Sequence, residues 1–187
     1  GEIVISRAKH SIKYPAKFML LGAMNPCPCG FLGDKEKQCT CTDSQINRYQ
    51  SRLSGPLLDR IDIQIEVPRL TSVELMSTND AEEDSAAIRK RVVKARQMQI
   101  ERYKNESILT NSELTTELIK KYCKIDEKSK ELLKVAIVKY QLSGRRYDRI
   151  LKLARTIADL DSSKDITQIH LMQALQYKGS SILDNTV

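Results

Sequence analysis

All five prolines of this chain fall between Pro15 and Pro68, and residues 69–187 contain none. Proline fixes φ and removes a backbone donor, so it marks turns, strand ends and loops and is excluded from helix interiors. The chain is therefore expected to divide into a first part of short elements and a second part that is all-helical. The first part reads as β-rich. Ile3-Val4-Ile5 is short and β-branched, the basic stretch around His10 suits a hairpin, and residues 18–24 form a continuous apolar run suited to a buried parallel strand, stopped at Asn25-Pro26. Residues 61–67 alternate apolar with polar until Pro68, which predicts a second strand. Between the two runs lie a cysteine cluster and a predicted helix over 44–53.

From about residue 80 the period becomes helical, interrupted only by Gly144 and Gly179. A long charged helix is predicted over 82–103, with Ile88, Val92 and Ala95 as a narrow apolar stripe, and a shorter one over 116–123. Residues 128–140 place Leu132, Leu133, Ala136, Ile137 and Tyr140 on one face. Ser143 stands at an N-cap position ahead of Tyr147, Ile150, Leu151, Ala154, Ile157 and Ala158 at helical spacing. A last helix from about Thr167 is expected to present Ile169, Met172 and Leu175 inward.

Composition narrows the function classes. Thirty-one basic and 24 acidic residues leave a net charge of +7, compatible with a polyanionic partner. With no Trp and two Phe, the chain lacks the aromatic platforms on which single-strand binders stack bases. No stretch approaches the roughly 18 apolar residues of a spanning helix, and the first residues lack signal-peptide architecture, so a cytoplasmic protein without a membrane partner is expected. Arg89-Lys90-Arg91 with Lys94 and Arg96 could contact DNA phosphates, or form a solvated face balanced by Glu82, Glu83 and Asp84.

Four of the five cysteines crowd into fifteen residues: Cys27-Pro28-Cys29, nine intervening residues, then Cys39-Thr40-Cys41, with Gly30 and Gly33 in the loop to let the chain fold back. Four thiolates suit tetrahedral zinc, and with every position filled by protein such a site would be structural. The one-residue gap within each pair is tighter than usual; four free thiols, a labile pair of disulfides and an iron–sulfur site are the alternatives. The distant Cys123, on an amphipathic helix, reads as packed core. His10 and His170 have no partner spacing suggestive of a metal or a triad.

Ala23-Met24-Asn25-Pro26-Cys27-Pro28-Cys29-Gly30, then Ser44-Gln45-Ile46-x-Arg48-Tyr49 and Ser54-Gly55-Pro56-Leu57-Leu58-Asp59-Arg60-Ile61-Asp62, closely resemble the ComM/YifB family of magnesium-chelatase-like AAA+ proteins. The later block from Leu142 through Ser143-Gly144-Arg145-Arg146-Tyr147 to Asp159-Leu160 is similar to the family's C-terminal helical domain. The resemblance implies an α/β plus all-α chain: the C-terminal part of an AAA+ P-loop NTPase core over 1–70 with a four-Cys insertion, a connecting region over 71–110, and a helical lid over 111–187. It also implies roles. Asn25 matches sensor 1, which contacts the γ-phosphate or its attacking water. Arg60 matches the arginine finger projected into a neighbouring subunit, with Arg48 and Arg52 as further candidates. Arg145, or Arg146 beside it, matches sensor 2.

No glycine is followed by Lys and then Ser or Thr, so the GxxxxGK[ST] loop is absent from these residues. Asp126-Glu127 follows no apolar strand and is rejected as the magnesium-holding pair. The expectation is an N-terminally shortened piece, inactive alone, of a protein that binds ATP and magnesium as a homo-oligomeric, hexameric ring acting on DNA. An ATPase subunit that inserts magnesium into a porphyrin and a non-enzymatic zinc-containing adaptor are the alternatives.

Overall fold

The computed structural model describes residues 1–7, 10–58, 60–70, 72, 76 and 83–177. The chain forms two compact units, Gly1–Tyr49 and Gln50–Val187.

In the first unit, strands β1 (Glu2–Arg7) and β2 (His10–Pro15) pair antiparallel, in register from Glu2 opposite Pro15 to Arg7 opposite His10. This is the expected hairpin. Ser6 and Ser11 hydroxyls meet at 3.1 Å across it, and Ala16 N–H closes its open end on Gly1 C=O at 2.7 Å. Ile3, Val4, Ile5, Ile12 and Tyr14 all stay about half exposed, so the hairpin buries neither face.

The expected parallel strand over 18–24 is not formed. The segment carries no regular structure, and Met19 and Leu21 are each 94% exposed. The two described strands pair only with each other, so the segment joins no ladder, and strand composition alone does not make a strand. The same correction applies to 61–67, which has no strand structure and leaves Ile63, Ile65 and Val67 exposed. There the polar positions do the anchoring. Gln64 N–H donates to Tyr177 C=O at 2.9 Å, and its side-chain amide donates to Leu58 C=O at 3.2 Å. Helix α1 (Asp43–Gln50) forms where expected, ending earlier, and is followed by the single turn α2 (Gly55–Leu58).

Beyond its two prolines, Pro56 and Pro68, the second unit is helical, as expected for the proline-free stretch: α3 (Ser85–Arg102), α4 (Thr116–Tyr122), α5 (Glu127–Tyr140), α6 (Gly144–Leu160) and α7 (Gln168–Gln176). Short polar side chains start them. Asp84, Thr115, Asp126 and Ser143 each accept the N–H of the residue three positions on, which satisfies an otherwise orphaned donor. Asp126 is thereby a helix cap.

Helix α6 is central. Ile150, Leu151, Ala154, Ile157 and Ala158 bury one face against Tyr103, Leu114, Ile119, Leu133, Leu171 and Ala174 from the surrounding elements. Cys123 lies in this core, where burial pushes its thiol up to about 11, so it packs as expected and is chemically quiet. Two predicted faces need adjustment. On α3 the stripe is only partly used: Ala95 is buried while Ile88 and Val92 remain more than 40% exposed. On α7 the inward face is His170, Leu171 and Ala174, with Ile169 and Met172 turned outward. His170 reaches inward because its Nδ1 accepts Thr167 N–H at 3.0 Å while Nε2 lies 3.2 Å from Asp161, a double anchoring that outweighs its polarity.

Candidate functional site

Two glycines shape the cysteine loop. Gly30 and Gly33 have φ of 83° and 81°, a region other residues enter at a cost, and Gly30 N–H closes a turn on Cys27 C=O at 3.0 Å. Asp34 then stabilises the far bend by accepting Glu36 N–H at 2.8 Å and Lys37 N–H at 2.9 Å. Lys37 lies over the Phe31 ring at 4.0 Å. These local bonds return the chain so that Cys39-Thr40-Cys41 faces Cys27-Pro28-Cys29.

The four Sγ atoms all lie within 4.8 Å of one another. Cys27 to Cys29 is 3.4 Å, Cys29 to Cys39 is 3.5 Å and Cys27 to Cys39 is 3.7 Å. Tetrahedral ligands at about 2.3 Å from zinc would stand roughly 3.8 Å apart, close to these three separations, and Cys41 lies within the same 4.8 Å, so the donor set fits that ion. None of the four is bonded to another as a disulfide. The one-residue gap, the weak point of the sequence argument, is accommodated because the turn at Cys27 aims both sulfurs of its pair inward.

Electrostatics in the cluster point the same way. Backbone N–H groups of Phe31 and Thr40 pull the Cys29 thiol down to about 5. For Cys39 the Cys41 N–H, whose nitrogen lies 3.4 Å from the sulfur, acts to lower the thiol, yet burial and the neighbouring sulfurs outweigh it and push it up to about 12. Burial likewise raises Cys41. One thiolate thus forms readily and opposes the next, and a cation is what lets several ionise together. Cys27 is fully buried and the other three half-buried, and a complete set of protein ligands leaves no position open for a substrate. These four residues can hold a structural metal such as zinc.

Asn25 immediately precedes the loop and is exposed, its side chain about 3.8 Å from where a Cβ on Gly30 would stand. Arg60 is exposed, and its guanidinium donates to Pro56 C=O at 2.6 Å across the single turn α2. Its neighbour Asp59 lies outside the described residues. Arg145 is exposed in the first turn of α6, with no side-chain hydrogen bond or ion pair among the described residues. Arg146 is half-buried; its N–H donates to the Ser143 hydroxyl at 3.3 Å, and its side chain lines a narrow crevice with Leu58, Ile61, Asp62, Arg149 and Leu153. Asp62 approaches Arg149 to 3.3 Å there, so the segment carrying Arg60 is tied to the helix carrying Arg145. Asn25 and the cysteines belong to the first unit, and Arg60, Arg145 and Arg146 to the second.

Sequence reasoning missed a buried polar centre. Asp159, wholly buried on α6, accepts from Arg102 Nη1 at 2.9 Å, Asn111 Nδ2 at 2.9 Å and Arg155 Nε at 3.2 Å. Asn111 accepts Tyr103 OH at 2.6 Å, and Arg155 donates onward to the carbonyls of Ser163 at 2.8 Å and Lys164 at 2.9 Å. The signal was present: Arg155 and Asp159 stand four residues apart within the apolar face of α6.

Comparison with known proteins places both parts of the chain. Residues 1–75 match the family described as magnesium chelatase, subunit ChlI, and residues 82–178 match its C-terminal family. The chain is 44% identical over 178 residues to the competence protein ComM of Haemophilus influenzae and 39% identical over the same length to an uncharacterized protein, YifB, of Escherichia coli. Each alignment covers 95% of this chain and 34% of the relative. An uncharacterized protein of Mycobacterium bovis is 33% identical over 160 residues, covering 86% of this chain and 31% of its own length. The chain thus spans about a third of the length of these relatives. A mostly helical chain with one small hairpin fits part of an AAA+ family protein, and no described helix is long and apolar enough to cross a membrane. With both halves matched in order and the identity sustained across nearly its whole length, the chain belongs to the magnesium chelatase-related ComM/YifB family.

Proposed function

We propose that this chain is the C-terminal portion of a ComM-like AAA+ ATPase, a ring-forming motor that remodels DNA in recombination or competence. Asn25 serves as sensor 1, Arg60 as the finger entering a neighbouring subunit's ATP site, and Arg145 as sensor 2 on a helical lid. ATP and magnesium belong to the full-length hexameric ring, which supplies the phosphate-binding loop missing from these residues. The Cys27, Cys29, Cys39 and Cys41 site is structural.

The observation that carries the reading is Arg145. A cation in the first turn of a helix opposes the positive end of the helix dipole, so an exposed guanidinium there without an acidic partner among the described residues is best explained by an anion arriving from outside. The γ-phosphate of ATP is such an anion. Arg146, whose side chain is committed to the crevice, is the poorer candidate. Arg60 presents its planar charge from an exposed single turn, which suits transient insertion into a partner's site.

The test uses the full-length protein. Arg60→Ala is expected to reduce ATP turnover on the order of a thousandfold, and Arg145→Ala to reduce it while leaving ring assembly intact. Mixing Arg60→Ala subunits with subunits unable to bind ATP should restore turnover, because intact fingers then meet intact sites. A full-length ring with no ATP-dependent action on branched or duplex DNA overturns the motor reading. The description of both matching families as chelatase subunits favours a second reading, a subunit coupling ATP to magnesium insertion into a porphyrin, and an insertion assay on the same preparation separates the two.

A further inference from the structure

The outward face of α3 carries four cations that nothing in the described structure neutralises. Arg89, Lys90, Lys94 and Arg96 are all exposed, and none has an acidic partner among the described residues. The remaining cations of this helix and its C-terminal flank are paired. Arg91 makes a two-pronged bond to Glu83 at 2.6 and 2.9 Å, Arg102 is held by buried Asp159, and Lys104 takes Glu101 at 2.5 Å. The acids expected to balance the run are spent elsewhere: Asp84 caps the helix by accepting Ala87 N–H at 2.7 Å, and both carboxylate oxygens of Glu83 are taken by Arg91. Glu82 lies outside the described residues.

Helical geometry gathers the four. Seven residues bring Arg96 back to within about 20° of Arg89, roughly 10.5 Å along the axis, and Lys90 and Lys94 form a second row about 6 Å long. Gln97 and the half-exposed Val93 and Ile100 lie between the rows. A DNA strand presents a phosphate about every 3.4 Å of axis, so the face spans about three phosphates per strand. The inner side of the helix, Ala95 and Gln99, is buried, which fixes the rows on a rigid support.

We propose that this face is a docking surface for the phosphate backbone of double-stranded DNA; it rests on the DNA-acting reading above and assigns that partner to particular residues. The chemistry favours nucleic acid over an anionic bilayer. A helix lying in a membrane interface needs a broad apolar face with bulky anchors, and here the exposed apolar residues Ile88, Val92, Val93 and Ile100 include no aromatic and are split by the Arg89–Arg96 row. Contacts to phosphates position without reading sequence, so the surface binds duplexes of any sequence alike.

The experiment is binding of this chain to a labelled duplex oligonucleotide across a series of KCl concentrations, with phosphatidylserine vesicles as the competing surface. Four phosphate contacts predict a slope of log affinity against log salt near −3.6. The variants Arg89→Gln with Arg96→Gln, and Lys90→Gln with Lys94→Gln, should each flatten the slope by about 1.8 and weaken binding at least tenfold at low salt. Lys130→Gln with Lys134→Gln, on α5, should change neither, and unchanged thermal melts keep misfolding out of the comparison. Equal binding by parent and α3 variants overturns the surface, as does vesicle binding without duplex binding. If the full-length protein remodels DNA under ATP and the α3 variants do so with an unchanged requirement for DNA, this surface fails while the motor reading stands. If no ATP-dependent action on DNA is found, the motor reading fails by its own test.

Discussion

Arg155 donates from Nε to Asp159 at 3.2 Å, one turn along the same helix, and both side chains are buried within a face that is otherwise apolar. A second guanidinium, Arg102 from α3, completes the pair from the other side, so a single carboxylate balances two arginines in the core of the helical unit. Such groups are costly to bury and costlier to leave alone. Asp159→Asn is expected to destabilise the chain by about 3–5 kcal/mol in urea unfolding, because it leaves the buried Arg155 and the half-buried Arg102 without their carboxylate. Lys13→Gln, which removes the exposed pair with Glu2 at 3.7 Å, should change stability by less than about 0.5 kcal/mol. Similar losses for the two would show that Asp159 is not the centre of the core.

The metal prediction is chemical. Purified chain is expected to carry one zinc, and Cys27→Ser and Cys39→Ser should each abolish it together with the protease resistance of the loop over 27–41. Elemental analysis and limited proteolysis with and without a chelator provide the readout. A metal-free chain whose loop resists protease equally in all forms would refute a closed site.

Helix α5 ends at Gln141 with φ 47°, and Leu142 N–H reaches back to Ile137 C=O at 3.1 Å, the hydrogen bond of a Schellman cap. A residue with a Cβ pays for that conformation. Gln141→Gly should therefore stabilise by about 0.5–1 kcal/mol, raising Tm by roughly 1–4 °C. A lower Tm would mean that the side chain makes a contact worth more than the strain.

Acid sensitivity should centre on Glu106. Lys121 Nζ and Tyr122 OH each lie 2.7 Å from its carboxylate and hold it below the usual carboxylate range. A carboxyl depressed in the folded state adds stability that is complete above its unfolded value, near 4.5, and is lost as pH falls through the lower folded value. The urea midpoint of the parent should decline across that window. Glu106→Gln should be less stable at neutral pH and decline less steeply between pH 5 and 3.

Much of this fold could be read ahead of the structure where one chain segment supplies both the pattern and its burial. The α6 face, the Ser143 cap, the hairpin at 2–15 and the gathering of four cysteines by Gly30 and Gly33 are of that kind. Reading failed where burial depends on distant partners. Residues 18–24 and 61–67 have strand composition, but a strand exists only with a neighbour. His170 turns inward through two hydrogen bonds that hydrophobic periodicity does not register. The Asp159 network escaped because its members come from positions 102, 111, 155 and 159, which only folding brings together. For the site, residue types and spacing picked out the four cysteines that fold together and could hold a metal, whereas the half-burial of Arg146 beside an exposed Arg145 is visible only in the structure.

The bond between Asp62 and Arg149, with Gln64 fastened to Tyr177, has a mechanical corollary. Arg60 rides on the stretch just before these fastenings, and Arg145 stands one turn before Arg149 on α6. These two ties set the spacing between the backbone that carries Arg60 and the helix that carries Arg145 within the helical unit, and Asp62→Ala removes one of them.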